Sequence, residues 1–419
     1  MRVSRRHLLQ SAVAGAVGAL PGVRNLAFAE TGQGRDLVVV IFLRGGCDAL
    51  NMMAPANDRS YIDARPPELR VLDAGDRQGH RLDSNLVPGL DFRLHSEAAP
   101  LYELYRAGHL AIVVATGLSN ATRSHFVAQD LIERGIVDEQ KRPERDTGWL
   151  ARYLAEAKAP ASVPAVSANP GVSAGLLGDA AALAVPDLQG GLGIPGGEPV
   201  RQALARLYGS GEDVVARAGR QALQNIAAVD VALPRGPDGK VAAYQPDNGA
   251  AYDGGGEFMR SLQSVARLAK AELGLAVAAV DCNGWDHHEG EPGRFNNLAG
   301  VFARNLAAFY NDMAKRNERM TIVVMSEFGR RLRANRSQGT DHGHGGHMLV
   351  LGGHVMGGRL YGTWPGLSTP ELDRGVDLAV TTDYRAVLAE LVLRRLGVKD
   401  TATILPGFTP LAPFGLFRT

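Results

Sequence analysis

The stretch Leu37–Leu43, "LVVVIFL", decides the fold. It is apolar without a break and rich in β-branched residues. A strand with one face in water would alternate polar and apolar side chains, so this one must be covered on both faces. "LAIVVATG" (Leu110–Gly117) has the same character, and "LGLAVAAVD" (Leu273–Asp281), "MTIVVMSEFG" (Met320–Gly329) and "HMLVLGG" (His347–Gly353) add three more predicted strands. Between or after them lie helical patterns. "SEAAPLYELYRAG" has Ser96 as candidate cap, a stripe of Leu101, Leu104 and Tyr105, and a stop at Gly108; "SHFVAQDLIERG" closes at Gly135. "EFMRSLQSVARLAKAE", "FNNLAGVFARNLAAFYNDMAKR" and "DYRAVLAELVLRRLG" come later in the chain. Strands alternating with helices predict an α/β fold: a three-layer sandwich around a mostly parallel central sheet. Residues from about 200 to 255 break the rhythm with "RGPDGK" and "QPDNGAAYDGGGE", and read as an insertion or cap.

The N-terminus reads as an address. "SRRHLLQ" pairs Arg5 and Arg6 before a mildly apolar run that ends in Ala27-Phe28-Ala29, a small-x-small cleavage pattern. This predicts a twin-arginine signal over residues 1–29, recognition by the Tat export machinery, and a periplasmic product. The apolar run falls short of the roughly 20 residues that span a bilayer. Residues 30–419 are then expected to form one domain. Lys and Arg total 45 against 44 Asp and Glu, a net charge of +1, which advertises no nucleic-acid groove. "RRLRANR" (Arg330–Arg336) is basic but short and without interleaved aromatics, so it reads as a solvated loop or a steering patch for an anionic substrate. The two cysteines, Cys47 and Cys282, could form one disulfide in an oxidising compartment.

The segments at the strand ends carry the chemistry. After Leu43 comes "RGGCDALN", after Gly117 "LSNATRSHF", after Asp281 "CNGWDHHEG", and after Met325 "SEFGRR" and then "TDHGHGGH". Open parallel sheets bind ligands outside the carboxyl ends of their strands. Imidazoles and carboxylates gathered there suit a divalent transition metal. The candidate ligands are Asp48, Asp286 with His288, Asp341 with His342, His347 and Glu327. Glycines 339 and 343 let the turn aim Asp341 and His342 together. Five or more donors point beyond one tetrahedral site to two ions about 3.5–4 Å apart. Zinc or manganese suits the donors best, with calcium or magnesium as alternatives.

Ser124 opens a helix, where unpaired amides and the dipole favour an anion, and is the candidate nucleophile; a plain helix cap is the other reading. Arg123 or Arg44 would add a charged donor to the substrate oxygens. His287 and His344 read as solvent-facing or supporting neighbours, and Glu327 has an ion pair with Arg330 as its alternative role.

These motifs, with "FLRGGCDALNMMAP" and "GGRLYGTWPGL", resemble the bacterial family known as domain of unknown function 1501. That family in turn resembles the alkaline phosphatase and sulfatase superfamily. The resemblance implies an alkaline-phosphatase-like fold, with a metal-binding aspartate after the first strand and a nucleophile opening a helix after the next. Aspartate–histidine sets for two ions come later. In this chain those are Asp48, Ser124, Asp286 with His288, Asp341 with His342, and His347 as the closing imidazole. No "C-x-P-S-R" signature surrounds Ser124, which disfavours a formylglycine sulfatase. The expected function is metal-dependent hydrolysis of a small phosphate or sulfate ester. The alternative is a non-catalytic metal- or partner-binding protein on a degenerate hydrolase scaffold.

Overall fold

The structure is a computed structural model that describes residues 36–418 except 85, 121, 158–160 and 255. The expected signal over residues 1–29 lies outside the described residues. Among the described residues twelve strands run in chain order: β1 (Leu37–Leu43), β2 (Met53–Pro55), β3 (His80–Arg81), β4 (Phe92–Leu94), β5 (Leu110–Gly117), β6 (Ala165–Ser167), β7 (Leu183–Ala184), β8 (Val277–Cys282), β9 (Met320–Met325), β10 (Gly346–Gly352), β11 (Arg359–Tyr361) and β12 (Thr382–Asp383). The α-helices are α1 (Ala49–Met52), α2 (Arg59–Ala64), α3 (Ala99–Arg106), α4 (His125–Glu133), α5 (Trp149–Ala157), α6 (Gly197–Gly209), α7 (Val214–Ala232), α8 (Glu257–Lys270), α9 (Glu291–Asp312) and α10 (Tyr384–Arg394).

The central sheet has the order β11-β5-β10-β9-β1-β8-β6-β7, with β12 also pairing β5. β1 lies at its heart, parallel to β8 and β9, and all seven of its residues are buried. Its side chains divide by alternation. Val39, Ile41 and Leu43 join a core under α3, α8 and α9, represented by Leu101, Leu262 and Phe302. Val38, Val40 and Phe42 join a second core under α4, α5 and α10, represented by Leu131, Trp149 and Leu388. Helices on both faces make the three layers, and the fold is α/β with a mostly parallel sheet.

One strand departs from parallel order, with a direct consequence for function. β10 is antiparallel to both of its neighbours, β9 and β5. β9 therefore needs no crossover helix to reach it; residues 326–345 turn back at the sheet edge. The start of β10 thus lies beside the ends of β1, β5, β8 and β9, and the segments that follow those strands come to one edge.

Local expectations fared unevenly. Gly108 and Gly135 come after α3 and α4 with φ of 77° and 66°, left-handed values that suit glycine after a helix. Ser96 is not the cap: a 3-10 turn (Ser96–Ala98) precedes α3, and the His95 side chain accepts from Glu97 N–H. The antiparallel trio β2-β4-β3 was not legible, because its strands are only two or three residues long. The segment from about 200 to 255 holds the α6–α7 hairpin and a turn-rich return. The buried Asp312 on α9 fastens that return: it accepts from Tyr244 and Tyr252 hydroxyls at 2.5 and 2.8 Å and from Asp247 N–H at 2.6 Å. Cys47 and Cys282 are buried free thiols, and no disulfide joins them. Among the described residues no helix is long and apolar enough to cross a membrane.

Candidate metal centre

Three imidazoles meet at the edge where the strands end. His125 is the first residue of α4, and its Nε2 lies 2.9 Å from Nε2 of His342. His288, in the loop after β8, brings its Nε2 within 2.9 Å of that same His342 nitrogen. Asp286 Oδ1 lies 3.0 Å from Nε2 of His288, 3.3 Å from that of His342 and 3.5 Å from that of His125. Ligand atoms of His125, Asp286 and His342 all fall within 4.8 Å of one another.

The outer nitrogens explain why the inner ones converge. His125 Nδ1 is 2.8 Å from Glu327 Oε1, His342 Nδ1 is 2.9 Å from the Arg123 carbonyl, and His288 Nδ1 is 3.4 Å from Asp341 Oδ1. Each partner is an acceptor, so each Nδ1 carries the proton and each Nε2 presents its lone pair. Lone pairs aimed at one point repel unless a proton or cation lies among them.

Glu327 is the anchor of this arrangement. It has no solvent exposure, and its Oε1 also accepts from Gln129 Nε2 at 2.7 Å and from Gly45 N–H at 2.9 Å. Burial alone would raise its pKa, but the His125 and Gln129 hydrogen bonds hold the carboxyl below its usual range. The same bond raises His125. Gly45 is required here: with φ of 118° it lies so close to the next loop that a Cβ would meet Asp286 N at 2.5 Å. Gly339 acts likewise, because a Cβ would meet the His288 carbonyl carbon at 2.3 Å. That glycine supplies close approach, where the sequence suggested flexibility.

Arg330 fixes the frame. Its fully buried guanidinium donates to the carbonyls of Gly46 at 2.7 Å, Thr340 at 2.8 Å and Gly45 at 2.5 Å, and to Asp286 Oδ1 at 2.5 Å. Three loops are thereby tied to one cation. Burial pushes Asp286 up, but Arg330 outweighs it and the carboxyl falls to about 2. The alternative pairing of Glu327 with Arg330 is not formed, because Glu327 faces His125 and Arg330 faces Asp286.

Of the residues singled out in the sequence, Asp286, His288 and His342 are brought together, and Glu327 and Asp341 support them from behind. Asp48 is set apart. It is 1 % exposed, and its two oxygens accept from Arg65 Nη1 at 2.5 Å and Nη2 at 3.0 Å. Burial opposes ionisation, but Arg65 holds Asp48 below its ordinary pKa, while burial and Asp48 push the neighbouring Glu291 well above its usual range. His347 is also set apart: its Nδ1 accepts from Ala115 N–H at 3.3 Å and its Nε2 donates to the Met53 carbonyl at 3.2 Å. Both nitrogens are satisfied by backbone, and burial pushes its pKa to about 4.

Ser124 holds the N-cap position of α4, exposed, and its side chain makes no capping hydrogen bond. The Arg123 guanidinium contacts Asp377, with Asp373 at 3.7 Å. Arg44 bridges Glu133 and Asp281, each at 2.9 Å. His287 is buried against Trp285 and Phe295 and does not face solvent. His344 supports Asp373 at 3.0 Å. His125 is the residue that sequence reasoning passed over. It stands beside Ser124 in "TRSHF", and attention to the hydroxyl hid the imidazole.

The donor set of His125, Asp286 and His342 fits a metal ion, with His288 beside it and the buried Glu327 carboxylate behind the His125 ring. Fold and site together describe an α/β protein with a candidate metal centre at the carboxyl edge of its sheet. The sequence over residues 114–403 matches the family described as "Protein of unknown function (DUF1501)", and the chain belongs to that family. No curated protein matches it. Similar solved structures include Ps i-CgsB in complex with k-i-k-neocarrahexaose, at 9% identity and TM-score 0.40, covering 89% of this chain and 74% of that one. Another is the C-terminal periplasmic domain of EcEptC from Escherichia coli in complex with Zn, at 8% identity and TM-score 0.33, covering 77% and 74%. A third is the lipoteichoic acid synthase LtaP from Listeria monocytogenes, at 9% identity and TM-score 0.37, covering 84% and 75%.

Proposed function

We propose that this chain is an exported, periplasmic, metal-dependent hydrolase of small phosphate or sulfate esters. One observation carries the reading: the Nε2 atoms of His288 and His342 and Oδ1 of Asp286 converge with Nε2 of His125, whose Nδ1 is locked by the buried Glu327. His125, His288, His342 and Asp286 would hold one divalent ion, with zinc the best match to three imidazoles and a carboxylate. Such an ion supplies Lewis acidity toward an ester oxygen. Asp48 and His347 have partners of their own, which favours one ion over the two-ion clamp.

The chain's own residues do the rest. Glu327 holds the Nδ1 proton of His125, and Arg330 keeps Asp286 ionised. Ser124, exposed at the amide-rich start of α4, is the candidate nucleophile, with those amides facing the non-bridging oxygens. The twin-arginine segment supports export in a folded state.

Metal content by elemental mass spectrometry, followed by an ester panel, tests the reading. About one equivalent of ion, with turnover lost in Ser124→Ala and in His342→Ala, is expected. Bound ion without turnover on any ester would favour the non-catalytic binding protein, and a protein that takes up no ion would sink both.

A further inference from the structure

We infer that Arg331 is the anion-binding residue of this centre, the side chain that receives the charged oxygens of a phosphate or sulfate ester. The inference rests on the metal-dependent reading above and adds to it the residue that meets the substrate.

The backbone of Arg331 is clamped. Its N–H donates to the Asp341 carbonyl at 3.0 Å, its carbonyl accepts from Arg65 Nη2 at 2.9 Å, and it forms a bridge to Asp377. The adjoining bridge sets Arg330 opposite His342, so Arg331 is one residue from a side chain of the centre. Its guanidinium is treated differently from its backbone. It is 44% exposed, and its carboxylate neighbours stand at the outer limit of an ion pair, Asp377 at 3.9 Å and Asp341 at 4.0 Å. The Asp341 pair is long and open to water on both sides, so it contributes little, and the buried Asp377 carboxylate stands too far off to accept a hydrogen bond from Arg331.

Four other arginines near the edge are already bound at close range. Arg330 is sealed among carbonyls and Asp286, Arg65 is paired to Asp48, Arg44 to Glu133 and Asp281, and Arg123 to Asp377. Sequence reasoning placed the substrate's charged donor on Arg123 or Arg44; the geometry assigns it to Arg331. A fixed backbone carrying a half-exposed planar fork loses little freedom on forming two parallel bonds to an anion. Asp341 couples the two halves of the site, because it faces Arg331 on one side and His288 Nδ1, at 3.4 Å, on the other.

The test uses the full chain loaded with zinc and inorganic phosphate as the probe. Zinc content is measured by elemental mass spectrometry and phosphate affinity by calorimetry at low salt. Arg331→Ala is expected to keep its zinc and weaken phosphate binding roughly 10- to 100-fold, the loss of a charged hydrogen-bonded donor. Arg331→Lys should recover part of it, since a charge returns without the fork. Phosphate bound equally by wild type and Arg331→Ala overturns the assignment. So does a zinc-loaded wild type that binds no phosphate, and in both cases the metal reading stands. A wild type that takes up no zinc overturns that reading and this one together.

Discussion

Nδ1 of His125 lies 2.8 Å from Oε1 of Glu327, a carboxylate without solvent exposure that also accepts Gln129 and the Gly45 amide. The acid thus decides which nitrogen of the imidazole faces the centre. Glu327→Gln keeps the shape and removes the charge, so it should leave the fold intact and weaken zinc binding by roughly 10- to 100-fold. Competition with a chromophoric chelator reads this directly. Unchanged affinity would mean that His125 is oriented by something else.

His342 and His347 stand five positions apart, and the structure gives them opposite roles. His342→Ala should abolish stoichiometric ion uptake, since its Nε2 is shared by both other rings. His347→Ala should bind ion normally and lose about 1–3 kcal/mol of stability, because the Ala115 amide and Met53 carbonyl lose their partner. Elemental analysis paired with urea denaturation separates the two.

His347 also makes stability depend on pH. Its folded pKa, pushed by burial to about 4, lies below the ordinary 6.5, so the unfolded chain binds more protons between those values. The stability it confers is present above pH 6.5 and lost as the pH falls toward 4. Urea midpoints measured in chelator should therefore drop across this window in wild type. His347→Gln should show a shallower drop, by on the order of 1 kcal/mol. Parallel curves would place the ring's proton elsewhere.

Asp48 and Arg65 form a buried pair with Asp48 oxygens at 2.5 and 3.0 Å from the guanidinium. Removing one partner strands a charge, and Asp48→Asn should cost about 3–5 kcal/mol. Zinc stoichiometry should stay at the wild-type value wherever the variant is folded. A fall in bound ion at full thermal stability would return Asp48 to the ligand set.

Much of the fold was legible because burial on both faces leaves a local mark. "LVVVIFL" has no polar position, and a strand of that kind must lie inside a sheet covered by helices. The strand-end motifs were legible for a related reason: a parallel sheet delivers the residues after each strand to one edge. Asp286, His288 and His342, singled out in that way, lie together at that edge.

Tertiary structure alone decided the pairings. Asp48 and Asp286 both come after a buried strand and read alike, yet Arg65, brought close by the fold, takes one and Arg330 frames the other. His342 and His347 share one glycine-rich run, but β10 is antiparallel and begins between them, sending one ring to the centre and the other to backbone. His125 gained its meaning only from a glutamate 202 positions away. Local sequence sets which residues reach the edge, because strand and helix periods are local. Which partner each side chain meets there depends on contacts hundreds of residues apart, and no local pattern encodes them.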